Sequence, residues 1–156
     1  LEPVDLRDAL KGALTMMEPQ LRTTRVEINQ SLPRRPVMVL ADRLRLEQVI
    51  INLLRNALDA LKDVEKRELD LLIAEGEEAV LTVRDSGKGI DDLDALFEPF
   101  YTTKKPGEGV GLGLAISSGI ITDFGGRLTA RNGETGGAVF EIRLRRLTGG
   151  DTRAAE

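Results

Sequence analysis

Asn52-Leu53-Leu54-Arg55-Asn56-Ala57-Leu58-Asp59-Ala60 is the stretch on which the reading of this chain turns. Leu46, Val49, Ile50, Leu53, Leu54, Ala57 and Leu61 recur at helical spacing and give a broad apolar face to a helix from Arg43 to about Lys62, with Asp42 placed to cap it. Asn52 and Asn56 stand one turn apart, so both amides leave the same face. An amide oxygen is a neutral, hard ligand suited to Mg²⁺, and its NH₂ can donate to a phosphate oxygen. Asn at this spacing also occurs on plain solvated helix faces. Here the pair lies inside an apolar run, where unpartnered amides are costly.

Working outward, Leu6, Leu10, Ala13, Leu14 and Met17 predict a helix behind an Asp5 cap. Val26–Asn29 alternates like a strand closed by Leu32-Pro33, and Val37–Leu40 is a short apolar strand. Beyond the central helix, Glu68–Ala74 and Ala79–Arg84 predict a hairpin around Glu75-Gly76-Glu77-Glu78. Residues 85–113 are too rich in Gly, Pro, Thr and charge for one regular element. Helical periodicity returns over Leu112–Phe124 and stops at Gly125-Gly126, and Arg127–Arg131 and Val139–Leu144 form a last strand pair. The order is helix, two strands, helix, two strands, loop, helix, two strands. It fits an α/β fold, a two-layer sandwich with three helices on one face of a mixed sheet, and not the strict alternation of a doubly wound sheet.

Composition narrows the chemistry. The 156 residues contain no Cys and no His, which removes disulfides, thiolate and imidazole metal sites, histidine bases and any His phosphoacceptor within the chain. A formal charge of −4 and only one Tyr and four Phe give no sign of a nucleic-acid surface. No apolar stretch nears the length of a membrane span. The chain starts at Leu1-Glu2-Pro3 without an initiator Met, which reads as a domain taken from a longer protein.

Three further clusters carry chemistry. Asp85-Ser86-Gly87-Lys88-Gly89-Ile90 follows a strand: a carboxylate at a strand end can accept from an exocyclic amine such as that of adenine, and the glycines let backbone approach a flat ring. Alone, it reads first as an ordinary Asp-Ser-Gly turn. Leu96-Phe97-Glu98-Pro99-Phe100-Tyr101-Thr102-Thr103-Lys104 puts three aromatics into a polar loop, with Phe97 and Phe100 as anchors against the body or as a small satellite core. Gly109-Val110-Gly111-Leu112-Gly113-Leu114-Ala115-Ile116 opens a helix, whose N-terminus favours phosphate. It lacks the Lys-Ser or Lys-Thr of a P-loop and the leading strand of a dinucleotide fingerprint.

Taken in order, these four clusters resemble the N, G1, F and G2 boxes of sensor histidine kinases, over roughly residues 6–145. The wording of the Asn52–Ala60 and Phe97–Lys104 segments is most similar to the nitrogen-regulatory and C4-dicarboxylate sensor kinases. The resemblance implies the Bergerat ATP-binding fold, with ATP and Mg²⁺ as ligands. It implies that Asn56 holds Mg²⁺ and Asn52 assists at the phosphates, while Asp85 reads the adenine amine in a pocket shaped by Gly87, Gly89 and Ile90. Val110, Gly111, Leu112, Gly113 and Leu114 would offer N–H groups to the phosphates, Lys104 would neutralise charge, and 91–109 would be a lid. Hydrolytic relatives carry Glu where Asn52 stands, and an amide cannot take a proton from water. Ala138 replaces the Thr that many relatives have near the start of the last strand, and Asp59 stands where some sensor kinases have Lys.

The resemblance thus implies transfer of the ATP γ-phosphoryl to a His on a dimerisation domain outside this chain, with Glu2–Leu6 as the entering linker. Residues 1–147 would be the catalytic domain and 148–156 a disordered tail. The isolated domain would be a cytoplasmic monomer without direct membrane contact. Its parent would be a homodimer anchored in the bacterial inner membrane, passing phosphate to a response regulator. An anti-sigma-factor type of serine kinase and a non-catalytic nucleotide-binding module are the alternatives.

Overall fold

A computed structural model of the chain describes residues 1–101 and 113–148. In chain order its elements are β1 (Glu2–Asp5), α1 (Leu6–Thr24), β2 (Glu27–Ser31), β3 (Met38–Ala41), α2 (Arg43–Leu61), β4 (Glu68–Glu75), β5 (Glu78–Asp85), α3 (Gly113–Asp123), β6 (Arg127–Asn132) and β7 (Ala138–Arg145). Five strands form one sheet in the order β2-β4-β5-β7-β6, with β2 parallel to β4 and the other pairs antiparallel. This is the mixed sheet expected from the sequence.

The departure lies at the N-terminal side. Glu2–Asp5, expected as linker, is a strand, and it pairs antiparallel with β3 in a separate two-stranded sheet, Glu2 opposite Ala41. Only Val4 of the four residues of β1 is buried, so no alternation marks it, and its partner lies more than thirty residues away. Pro3 is tolerated because a two-stranded sheet has only edges.

Local chemistry sets the helix ends. Asp5 and Asp42 accept from the N–H groups of Arg7 (3.0 Å) and Arg45 (3.1 Å), each satisfying a donor the helix itself leaves unpaired. Asp5 also accepts from the Val37 N–H and pairs with the Arg7 guanidinium. Burial acts to raise the Asp5 carboxyl, but these hydrogen bonds outweigh it and hold the pKa below its ordinary value. At the far end of α3, Gly125 adopts φ +79°, and the N–H groups of Gly125 and Gly126 close on Thr122 and Ile121 carbonyls.

The core lies between helices and sheet. Leu6, Leu10 and Met17 of α1, Leu46, Ile50, Leu53 and Leu54 of α2, and Ile121 of α3 meet Leu69, Leu71, Leu81 and Ile142 of the sheet. Arg67 ties the C-terminal ends of two helices to β4. Its guanidinium donates to the carbonyls of Thr24 (2.8 Å) and Lys62 (2.6 Å), at helix ends where geometry leaves carbonyls without partners, and of Val64 (3.0 Å) just beyond α2. Arg67→Ala is expected to lower the unfolding free energy by about 2 kcal/mol, the scale of charge-assisted hydrogen bonds. Arg67→Lys is expected to recover little of it, because an ammonium cannot span three carbonyls as a planar fork does. Urea midpoints at unchanged m-value measure both.

Candidate functional site

The helix pair comes first, because it carries the asparagines. Asn52 and Asn56 are half-buried on α2, and α3 packs beside that helix. The Arg45 guanidinium pairs with Asp123 at 2.7 Å and sits 5.4 Å above the Phe124 ring, which fixes one end of the contact. At the other end the Asn52 Nδ2 donates to Ser117 Oγ at 3.1 Å. A Cβ on Gly113 would lie 2.6 Å from Asn52 Oδ1, so the first turn of α3 and the amide are in close contact. Among the described residues the Asn56 amide makes no hydrogen bond, which leaves its oxygen available as a ligand.

Asp85 ends β5 and is 4% exposed, one of two buried polar residues among those described. Its Oδ1 accepts from the N–H of Gly87 (2.8 Å) and of Ala138 (3.4 Å). Burial pushes its carboxyl pKa up, with the two backbone hydrogen bonds opposing. Oδ2 receives no hydrogen bond among the described residues and is the one acceptor left to a ligand.

Two close glycine approaches and a serine clip hold this carboxylate in place. A Cβ on Gly87 would fall 2.5 Å from the Ala60 carbonyl oxygen, so the loop lies against α2 one turn beyond Asn56. A Cβ on Gly137 would fall 1.8 Å from the Asp85 carbonyl oxygen, which brings the start of β7 over the same residue. Ser86 Oγ donates to the Lys66 carbonyl at 2.7 Å and accepts from the Glu68 N–H at 2.8 Å, which clips the loop to the start of β4. Gly89 has φ +81°, and Ile90 beyond it is half-buried against the core.

Two residues were not singled out from the sequence. Asn132 ends β6 and clamps the backbone of Ile90, its Oδ1 accepting from the Ile90 N–H at 2.7 Å and its Nδ2 donating to the Ile90 carbonyl at 3.1 Å. In the sequence it stands between the Arg127–Arg131 strand and the glycines at 133, 136 and 137, and nothing local points to a partner 42 positions away. Ser117 is 3% exposed on α3, and only its i+4 relation to Gly113 could have drawn notice.

The Phe-containing loop divides. Phe97 packs against the core with Leu96, as expected for an anchor. Phe100 does not, being 72% exposed at φ +69°. The chain turns tightly through 93–101 on successive backbone hydrogen bonds, which carries the next aromatic after Phe97 outward. Gly113 and Leu114 lie in the first turn of α3. Lys104, Val110, Gly111, Leu112 and the 102–109 part of the expected lid lie outside the described residues.

The structure thus joins Asn52, Asn56, Gly113 and Ser117 through the α2–α3 contact, and Asp85, Gly87, Gly137 and Ala138 around one carboxylate, with α2 touching both groups. A groove of about 380 Å³ between α1 and β2, lined by Leu14, Leu21, Val26 and Ile28 among others, contains none of them. Among the described residues no cluster of three acidic side chains could hold a metal.

The catalytic domain of histidine kinase ThkA has a similar structure, with a TM-score of 0.80 and 29% identity over 92% of this chain and 94% of that one. The ThkA kinase in complex with the response regulator protein TrrA matches with a TM-score of 0.77 and 27% identity, over 93% of this chain and 41% of that chain. In sequence, the C4-dicarboxylate transport sensor protein DctB of Pseudomonas aeruginosa is 42% identical over 147 residues, 92% of this chain. Fold and site together define a class, the ATP-binding catalytic domains of histidine kinases. The chain belongs to the family described as histidine kinase-, DNA gyrase B-, and HSP90-like ATPase, which it matches over residues 41–148. It spans 24% of the length of the DctB relative. Among the described residues no helix is long and apolar enough to cross a membrane.

Proposed function

We propose that this chain binds MgATP and transfers the γ-phosphoryl group to a His on a dimerisation domain of the same protein, as part of a two-component sensor kinase. The observation that carries the reading is the buried Asp85 carboxylate with one oxygen committed to the backbone and the other open. An exocyclic adenine amine is a neutral donor of the right kind for that oxygen. Gly87, Gly89 and Ile90 form the wall beside it, and Asn132 fixes the wall through the Ile90 backbone.

From Asp85 the nucleotide would run along α2, past Ala60 to Asn56. The Asn56 amide oxygen, without a protein partner among the described residues, is suited to Mg²⁺ as one protein ligand beside phosphate oxygens. The cation, when bound, supplies charge neutralisation for the transferring phosphoryl group. In the first turn of α3, Gly113 and Leu114 would offer N–H groups to phosphate oxygens. Asn52 keeps one N–H and its oxygen for the same region. As an amide it provides no base for water, which favours transfer to an incoming nucleophile over hydrolysis. In this reading residues 1–147 make the catalytic domain. The parent is a homodimer anchored in the inner membrane that hands phosphate to a response regulator.

The test is transfer in trans. Labelled ATP is supplied with Mg²⁺ and the parent protein's own dimerisation helices. Acid-labile, alkali-stable label on those helices is expected, abolished by chelator and reduced at least about 100-fold by Asn56→Ala, since positioning and charge neutralisation carry this chemistry. Nucleotide binding without any transfer would leave a nucleotide-binding module and overturn the kinase reading.

A further inference from the structure

The α2–α3 contact through Asn52 has a specific chemical form. The Asn52 amide lies between two residues that are one turn apart on α3, Gly113 and Ser117, and Asn52 itself is one turn from Asn56. Ser117 is 3% exposed, so bulk water does not compete for its hydroxyl, and the Asn52 NH₂ is its recorded side-chain partner. At the Gly113 end there is no space for even a methyl group between the α3 backbone and the amide. The hydroxyl therefore fixes how far along that helix the amide sits.

We propose that Ser117 is a positioning residue of the nucleotide site. By holding the Asn52 amide flat against Gly113, it sets the rotation and distance of the first turn of α3 relative to Asn56. The two helices are then one unit, with the phosphate-facing N–H groups on one and the cation ligand on the other. This rests on the reading of the site given above. The adenine end is built differently: the Asp85 loop is braced by Ala60, Ala138, Lys66 and Asn132, none of them on α3. Loosening Ser117 therefore weakens the grip on phosphates without weakening the grip on adenine, a separation that a merely structural serine would not produce.

The experiment titrates MgATP and adenosine against the wild-type chain and Ser117→Ala, with thermal melts of each. Ser117→Ala leaves the Asn52 NH₂ without its acceptor, and MgATP affinity is expected to fall about tenfold, the scale of one lost buried hydrogen bond. Adenosine affinity is expected to stay within about twofold, since its contacts lie beyond Ala60, two turns of α2 away from Asn52. In an Asn52→Ala background the same substitution is expected to cost nothing further, because its lever is gone. Should Ser117→Ala melt too low to titrate, Ser117→Cys gives the same comparison with a weaker acceptor in nearly the same volume. Unchanged MgATP affinity, equal losses for both ligands, or full additivity with Asn52→Ala would overturn the proposal. A wild-type chain that binds neither ligand would instead overturn the reading of the site itself.

Discussion

Asp85→Asn is expected to lower adenine-nucleotide affinity about 100-fold or more while leaving the unliganded domain at least as stable at neutral pH. Both halves follow from one side chain. Oδ1 accepts two backbone N–H groups, from Gly87 and Ala138, so an amide at this position must keep its oxygen there. Its NH₂ then takes the place of Oδ2 and meets the adenine amine donor against donor. The lost charge-assisted hydrogen bond and the unpaired donor together amount to roughly 3 kcal/mol, or about two decades in affinity.

Stability moves the other way because burial raises the Asp85 pKa, with the two backbone hydrogen bonds only partly offsetting it. The folded state holds the Asp85 proton more tightly than the unfolded chain does. As pH rises from the unfolded value of 3.8 through the raised folded value, the unfolded state releases its proton first, and folding loses stability. The cost grows as pH rises above 3.8 and is therefore present at pH 7. Asp85→Asn carries no such cost, so its stability relative to wild type should improve between pH 4 and pH 7. Calorimetric titration with MgADP and urea unfolding at the two pH values read both quantities. A mutant that binds as wild type does, or one whose stability relative to wild type does not improve from pH 4 to pH 7, contradicts this account. The trade is a familiar one for a binding site: the ionised carboxylate is maintained for the ligand at the expense of the empty fold.

Gly137→Ala is expected to cost roughly 3–5 kcal/mol, a large part of the stability of an ordinary domain. Residue 137 has φ +76°, which itself disfavours any side chain by about 1–2 kcal/mol. The added Cβ would also fall 1.8 Å from the Asp85 carbonyl oxygen, a backbone atom that can yield only if β5 and β7 separate at their ends. Gly136→Ala is the matched control. It has φ +101° but nothing within 4 Å of the new carbon, so it should carry the conformational cost alone. Because Ala138 donates to the Asp85 carboxylate, Gly137→Ala should also weaken nucleotide binding, and Gly136→Ala much less. Equal destabilisation by the two substitutions would mean that the close approach at Gly137 is not what holds the strand ends together.

The departures from the sequence reading have a common cause. β1 has four residues and one buried side chain, and its pairing with β3 is visible only once the chain is folded. Phe100 is apolar and close to Phe97, yet the turns through 93–101 carry it to solvent. Ser117 and Asn132 resemble helix-surface and turn residues, and their partners lie 65 and 42 positions away.

What the sequence determined by itself were the features that repeat at short range. The helix faces of α1 and α2, the Asp5 and Asp42 caps, the β4–β5 hairpin and the Gly125 stop each depend on residues within a turn or two of one another, where spacing is geometry. The candidate residues Asn56, Asp85, Gly87 and Gly113 were legible for a related reason, since chemistry of that type in that order has few other uses. Tertiary structure alone decided how they work. The side on which Asn52 spends its amide, the oxygen of Asp85 that stays open, and the backbone that Gly87 and Gly137 must admit are all contacts between segments distant in sequence. Such contacts leave no periodic trace, because the side chains that make them are brought together only by the packing of the whole core.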